Sequence, residues 1–192
     1  MGNANKNRIR TSQTNNNEEP FDVKREIMEW IIVICVAIVI AIVLNTFIIV
    51  NAIIPSASME PTIMTGNRIF GNRLAYIKED PKRGDIIIFR YPDNEKELCI
   101  KRIIGEPGDT VTIIEGKVYI NDSDTPLDEP YLKVIPLGDY GPYEVPADSY
   151  FVMGDNRNNS ADSRFWQNTF VKREKILGKA AVRYFWPPSK IQ

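Results

Sequence analysis

The segment IPSASMEPT, residues 54–62, places serine hydroxyls just after a long apolar run, and two chemical interpretations fit it. Small residues such as Ser56-Ala57-Ser58 behind an apolar segment are typical of a signal-peptide cleavage site, which would make this a secreted protein. The Ser58 hydroxyl would instead be the nucleophile of an enzyme if a base removed its proton. Taken alone, Ser58 also fits an ordinary loop serine or the N-cap of a helix.

The bases available to such a serine are few, because the chain of 192 residues contains no histidine. This excludes a Ser-His-Asp triad, a Cys-His pair and histidine-based zinc sites. The two cysteines, Cys35 and Cys99, cannot form a four-thiolate metal site, and a disulfide between them is implausible because Cys35 lies in the apolar run. The net charge of −1 gives no basic surplus for binding a nucleic acid. Catalysis would therefore use hydroxyl, amine, carboxylate or guanidinium groups.

Lys101 is the candidate base. It lies in LCIKRIIG, Leu98 to Gly105, an apolar segment that ends at a glycine and is predicted to form a strand. Strand alternation places Lys101 on one face with Cys99 and Ile103, which would keep part of the water away from its amine. Desolvation lowers the pKa of a lysine, and a neutral amine accepts protons near neutral pH. The alternative is a lysine at a sheet edge that points into water.

A third group of polar residues, GDNRNNSADSR, spans Gly154 to Arg164 directly after the apolar segment YFVM. It combines two aspartates and two arginines with Ser160 in eleven residues. A solvated turn that carries salt bridges would have the same composition. The apolar segment before it favours a position against the core, where such charges would have to pair.

The apolar run WIIVICVAIVIAIVLNTFIIV, Trp30 to Val50, contains only two polar residues. Its 21 residues would span about 31 Å as a helix, which matches the hydrocarbon layer of a bilayer and exceeds the length of a signal-peptide core. We therefore predict a membrane anchor. Lys24 and Arg25 precede the run and the next basic residue is Arg68, so the positive-inside rule places the N-terminus in the cytoplasm.

Beyond residue 67, short apolar segments alternate with turn residues, which predicts a mainly β fold with an antiparallel sheet. We expect a disordered cytoplasmic tail over 1–27, a transmembrane helix over 28–50 and an extracytoplasmic domain over 51–192. Residues 122–149 are predicted to be loops with a short strand or two. The predicted strands are Asp85–Pro92, Leu98–Gly105, a hairpin over Thr110–Asp122 that turns at Glu115-Gly116, Tyr150–Asp155 and Lys179–Pro188.

Together these features resemble the bacterial type I signal peptidases, in the short, single-anchor form typical of Gram-positive bacteria. The resemblance extends from the apolar run to about Trp186. It implies a membrane-bound serine endopeptidase that removes signal peptides by cleaving after small residues, without metal or cofactor. Its implied partners are signal-peptide-bearing precursor proteins and the lipid bilayer, and no nucleic acid. The segments that carry the resemblance are PSASMEPT (55–62), RGDIIIFRYP (83–92), IKRIIGEPGD (100–109) and GDNRNNSADSR (154–164).

The resemblance also implies roles for individual residues. Ser58 would be the nucleophile and Lys101 the general base of a Ser/Lys dyad. The Ser56 hydroxyl and the Ser58 N–H would form the oxyanion hole, and Ser160 would orient the lysine amine. The implied supporting residues are Arg102, Asp155, Asp162 and Arg164, with Arg102 expected to pair with Asp155. The implied substrate pockets are lined by Ile54, Ile63, Ile69, Ile88, Cys99 and Ile100.

By the same resemblance, an extended substrate would lie beside Ile54–Ser58 and Ile86–Ile88 as an added strand. Three positions depart from the commonest pattern of the family. Ala57 stands where Gly is frequent, and little effect is expected because the position needs no glycine-only backbone angles. Asn158 stands where Asp is frequent, and Cys99 replaces a larger aromatic residue of some relatives, which would reshape the pocket at the cut. Two alternatives stay open: the same chemistry on a dedicated precursor such as a pilin or toxin, and a membrane-tethered β module without catalysis.

Overall fold

The apolar run near the N-terminus forms helix α1, Val23–Val43, which continues as a π-helical turn over Leu44–Ile48. The structure is a computed structural model that describes residues 23–184 and 188–191. Among those residues, Val23–Ile48 is the one helix that is long and apolar enough to cross a membrane. This helix begins five residues before the predicted span of 28–50. It ends two residues before the end of that span, because residues 49 and 50 already belong to a strand.

The chain divides into two units, residues 1–39 and residues 40–192. Of the predicted disordered tail, residues 1–22 lie outside the described residues, and residues 23–27 are helical. Every candidate site residue belongs to the 40–192 unit.

The 40–192 unit is built from antiparallel strands, which confirms the predicted fold class. Its strands are β1 Ile49–Ile53, β2 Arg68–Asn72, β3 Ile86–Tyr91, β4 Asn94–Gly105, β5 Thr110–Ile114, β6 Lys117–Ile120, β7 Tyr140–Glu144, β8 Ser149–Met153, β9 Val171–Lys172, β10 Ile176–Arg183 and β11 Ser189–Lys190. The larger sheet has the order β1-β2-β10-β3-β4-β8-β9, with β11 paired to β10, and a smaller sheet has the order β6-β5-β7. All of these pairs are antiparallel.

The predicted strands are present as β3, β4, the β5–β6 hairpin, β8 and β10. Of the predicted strand Lys179–Pro188, residues 179–183 belong to β10 and residues 185–187 lie outside the described residues. The sequence pattern did not predict β1 or β2. The residues of β1 follow the helix without a polar break, so they read as part of one apolar run. Strand β2 is short and contains Gly71, a residue that is rare in strands. Gly71 is needed there because a side chain at that position would come within 2.6 Å of Ile88 Cδ1.

Strand β3 is the centre of the core. It lies between β10 and β4, and its residues Ile86 to Phe89 are buried. Ile86 and Ile88 pack in one apolar cluster, whereas Ile87 and Phe89 pack in another on the opposite face. A strand covered on both faces requires an unbroken apolar run, which IIIF supplies. The neighbouring strand β4 is therefore held in a fixed register, with Lys101 opposite Ile87.

Gly105 ends β4 at a tight contact between the two sheets. A Cβ atom at this position would lie 2.6 Å from Val111 Cγ2 and 2.9 Å from Val145 Cγ2. We expect Gly105→Ala to lower the melting temperature in detergent by about 2–10 °C, because overpacking costs about 1–3 kcal/mol. Thr112→Ala, at a half-buried position of β5, is the control. An unchanged melting temperature for Gly105→Ala would show that the two sheets can move apart at this point.

Candidate active site

Ser58 lies in a short 3-10 turn, Ala57–Met59, just after β1, and only 7% of its surface is exposed. The turn is fastened on both sides. Upstream, the Ile54 N–H donates to the carbonyl of Asn67 (3.0 Å). Downstream, the Ser58 carbonyl accepts a hydrogen bond from the Asn156 N–H (3.0 Å). The hydroxyl of Ser58 is thus carried by a segment whose backbone is fixed.

Lys101 meets this serine directly. Its Nζ atom donates a hydrogen bond of 2.6 Å to Ser58 Oγ, across 43 residues of sequence. The side chain belongs to β4 and is 5% exposed, so the lysine is buried as predicted and does not point into water. Burial lowers the pKa of the Lys101 amine from its ordinary value, and this desolvation outweighs the nearby thiol and carboxylates that favour the charged form.

Ser56 and Ser160 lie close to this pair but contact it differently. Ser56 Oγ is 3.3 Å from Ser58 Oγ, so the two hydroxyls are within hydrogen-bond distance of each other. Ser160 is buried, and its Oγ atom makes no hydrogen bond within the described part of the chain, so the expected bond to the lysine amine is not formed in this structure. Ser160 and the Ser58 carbonyl can both lie close to residue 154 because that residue is glycine. A Cβ atom there would lie 2.2 Å from Ser160 Oγ and 2.3 Å from the Ser58 carbonyl oxygen.

The predicted charged residues form two buried ion pairs beside the site. Arg102 donates to both carboxylate oxygens of Asp155 (2.9 and 2.8 Å), and their side chains are 5% and 0% exposed. Arg164 donates in the same way to Asp162 (2.8 and 3.0 Å), and this carboxylate also accepts the Gly154 N–H (2.9 Å). Paired, hydrogen-bonded charges of this kind fix geometry in a dry interior.

A cavity of about 500 Å³ opens beside Ser58 and Lys101. Four of the six predicted pocket residues line it, namely Ile54, Ile88, Cys99 and Ile100. The other two, Ile63 and Ile69, are packed in the apolar core with 1% and 0% exposure and do not line this cavity. A larger groove of about 740 Å³ between β9 and the Pro146–Ser149 turn contains none of the predicted site residues.

The expected position of a substrate beside Ile86–Ile88 is wrong. Both backbone edges of β3 are already paired, with β4 on one side and β10 on the other. The strand edge that borders the cavity belongs instead to β4. Strand β8 pairs only with Arg102 and the residues after it, so within the described residues the outer edge of Leu98–Lys101 has no partner strand.

The family described as signal peptidase, peptidase S26, matches residues 27–186. The chain belongs to this family. It is 46% identical over 160 residues to a probable signal peptidase I-2 of Synechocystis sp., covering 81% of this chain and 71% of that protein. It is 36% identical over 178 residues to a signal peptidase I of Bacillus amyloliquefaciens, covering 88% of this chain and 93% of that protein. A crystal structure of a signal peptidase I from Enterococcus faecalis matches with 34% identity and a TM-score of 0.46, over 53% of this chain and 97% of that one.

Several residues of this signal peptidase family site were not predicted from the sequence. Thr62 Oγ1 donates to Asp155 (2.5 Å), and the Asn156 side chain donates to the carbonyl of Ala57 (3.1 Å). Both residues lie within the motif segments, so a hydroxyl and an amide near charged residues could have indicated these bonds.

Asn158 holds a loop by accepting from the Leu137 N–H and donating to the Ile135 carbonyl (3.0 Å each). An Asp at 158 has no donor for the second bond, which gives the departure from the commonest pattern a structural role.

Gly154→Ala tests how closely the elements of the site must approach. We expect at least about a hundredfold loss of kcat/KM, because the new methyl group would push the Ser58 carbonyl or Ser160 aside and displace the Ser58 hydroxyl. Gly105→Ala is the control, since a Cβ there also meets close neighbours, at 2.6 and 2.9 Å, but lies away from the Ser58–Lys101 pair. Activity would be measured below the melting temperature of both variants. Equal activity of the two variants would contradict the expected displacement.

Lys101→Met tests the cost of burying the amine. Because the pKa of Lys101 is lower in the folded protein than its ordinary 10.5, the unfolded chain binds more protons between these two pKa values, and stability rises with pH there. We expect the variant to have the higher melting temperature at neutral pH, and the difference to shrink as pH approaches 10.5. Lys96→Met, at an exposed position, is the control. A lower melting temperature for Lys101→Met at neutral pH would show that the amine stabilises the fold.

Proposed function

We propose that this chain is a membrane-anchored serine endopeptidase that removes signal peptides from precursor proteins, cleaving after small residues. Ser58 is the nucleophile and Lys101 the general base. The observation that carries the proposal is the 2.6 Å hydrogen bond between a buried lysine amine and a buried serine hydroxyl in a chain without histidine. Membership of the signal peptidase family supports the class of substrate.

The reaction follows from these two groups. When the lysine is neutral, the hydrogen bond reverses and Ser58 Oγ donates to Lys101 Nζ. The oxygen attacks the scissile carbonyl and its proton moves to the amine. The resulting oxyanion is stabilised by the Ser58 N–H and the Ser56 hydroxyl. Lys101 then protonates the leaving amine, the C–N bond breaks, and the signal peptide remains attached to Ser58 as an ester.

Hydrolysis of this ester reuses the same base. Lys101 accepts a proton from a water molecule while the water oxygen attacks the ester carbonyl. The ester bond breaks, and the proton returns from the lysine to Ser58 Oγ. Both steps require a neutral amine at the start. Activity should therefore rise as pH increases through the pKa of Lys101, which burial lowers from the ordinary value of a lysine.

The groove beside the dyad suits an extended peptide. The unpaired edge of Leu98–Lys101 faces the cavity from β4, and residues 51–56 line it from the other side. A strand added there would gain main-chain hydrogen bonds, while Ile54, Ile88 and Ile100 form apolar walls for its side chains. This placement replaces the position beside Ile86–Ile88.

The membrane part of the proposal rests on the apolar helix and on charge. Val23–Ile48 is long enough to span a bilayer once. Lys24 and Arg25 lie at its start, and Arg68 is the next basic residue. The N-terminus then lies in the cytoplasm and residues 51–192 lie outside. An anchored enzyme meets anchored precursors on one surface, which raises their effective concentration.

Cleavage of a signal-bearing precursor in detergent is the test of this function. We expect the wild-type chain to release a product whose new N-terminus, read by mass spectrometry, follows a small residue. Ser58→Ala should abolish this cleavage, because no other hydroxyl lies within hydrogen-bond distance of Lys101 Nζ among the described residues. Ser123→Ala is the control, since that exposed hydroxyl bonds only to Thr125 in the part of the chain that the structure describes. Equal cleavage by wild type and Ser58→Ala would reject the nucleophile, and none by either would reject the substrate class.

A further inference from the structure

Tyr131, in the loop between β6 and β7, covers the ion pair that lies next to the dyad. The Arg102 guanidinium carbon is 3.9 Å from the centroid of the Tyr131 ring, which is the distance of a cation–π contact. The edges of the same guanidinium donate to Asp155 and to the Gly84 carbonyl. Arg102 is therefore held at its edges by oxygen atoms and on one face by the ring.

Glu129 and Arg157 bind the hydroxyl of this tyrosine. The Tyr131 hydroxyl donates to Glu129 Oε1 (2.6 Å), and Arg157 donates to both oxygens of the same carboxylate. Arg157 also donates to the Tyr131 hydroxyl (3.2 Å) and to the Gly154 carbonyl (3.1 Å). The side chains of Glu129 and Arg157 are 6% and 1% exposed, so this is a dry ion pair with every bond in place. The tyrosine is thus tied to the turn that packs against Ser58.

The covered pair, Arg102–Asp155, joins the two elements that must meet for catalysis. Arg102 follows Lys101 directly in β4. Asp155 accepts the Thr62 hydroxyl, and the next residue, Asn156, binds the Ser58 carbonyl through its N–H. A shift of Arg102 relative to Asp155 would therefore shift the base relative to the nucleophile. Water that reached the pair would compete for its hydrogen bonds and permit such a shift.

We propose that Tyr131, through the ring that stacks on Arg102, is a positioning residue that keeps the Arg102–Asp155 pair dry and so maintains the short distance between Lys101 Nζ and Ser58 Oγ. Tyr131 touches neither reacting group and acts through Arg102. This inference rests on the proposed function, because its measured effect is on the peptidase reaction. It predicts that the aromatic ring matters and that the phenol hydroxyl matters less, since Arg157 still binds Glu129 without it.

The test compares Tyr131→Phe, which keeps the ring, with Tyr131→Leu, which keeps apolar bulk without the ring. We expect Tyr131→Phe to cleave the precursor within about twofold of wild type and Tyr131→Leu to lose about tenfold or more in kcat with little change in KM. Tyr119→Leu is the control, a half-buried tyrosine on β6 in the smaller sheet. It should keep the wild-type kcat.

The pH profile separates positioning from simple instability. A partly unfolded variant loses rate in proportion to its unfolded fraction, so the rates are divided by the folded fraction that circular dichroism measures at each pH. If Tyr131→Leu admits water to the site, the Lys101 amine becomes better solvated and the acid limb of kcat/KM moves to higher pH. The groups that also act on this amine stay unchanged in the variant; they are Cys99, Asp155, Asp162 and Arg164.

Three results would overturn the proposal: an unchanged kcat for Tyr131→Leu, a rise in KM alone, and an equal loss in both Tyr131 variants with an unshifted pH profile. A rise in KM alone would mean that the ring contacts substrate. The proposed function is judged separately, because wild-type cleavage and its loss in Ser58→Ala do not depend on the behaviour of position 131.

Discussion

The hydrogen bond between Lys101 Nζ and Ser58 Oγ is the interaction on which the rest of this structure depends. An amine in water would be protonated at neutral pH and could not accept the serine proton. The fold removes that water by placing Lys101 inside a central strand pair at 5% exposure, which lowers the pKa of the amine. The same burial destabilises the protein whenever the amine is charged, so the base is obtained at the expense of stability.

Three segments that are far apart in the sequence meet to form this contact. Strand β4 supplies Lys101, the proposed base, and the turn after β1 supplies Ser58, the proposed nucleophile. The turn after β8 holds Ser58 through the backbone of Asn156. The close approach is possible because Gly154 has no side chain, which leaves room for the Ser58 carbonyl on one side and Ser160 on the other. The buried pair Arg102–Asp155 joins β4 to the turn after β8. Thr62, which follows the Ser58 turn, donates its hydroxyl to the same Asp155.

The sequence predicted the parts of this arrangement that depend on local pattern and residue chemistry. The absence of histidine left lysine as the base, and the alternation of β4 placed Lys101 among apolar neighbours. Contacts between distant segments were beyond such reasoning. Ile63 and Ile69 look like pocket residues in the motif but pack in the core, and β3 looks available to a peptide but is paired on both edges. Glu129 and Tyr131 lie in a loop without periodicity, where no local signal distinguishes them from solvated residues.

The two ion pairs have an electrostatic consequence beyond geometry. The carboxylates of Asp155 and Asp162 each raise the pKa of Lys101, which works against a neutral base, whereas Arg164 lowers it. An unpaired aspartate this close would stabilise the ammonium and remove the advantage of burial. Each aspartate accepts hydrogen bonds from an arginine through both of its oxygens. The carboxylates can therefore organise the turn while the arginines balance their negative charge. Arg164 therefore acts on the protonation state of Lys101 as well as on the position of Asp162. A lysine base in a site organised by carboxylates requires such pairing, and desolvation can then determine its pKa.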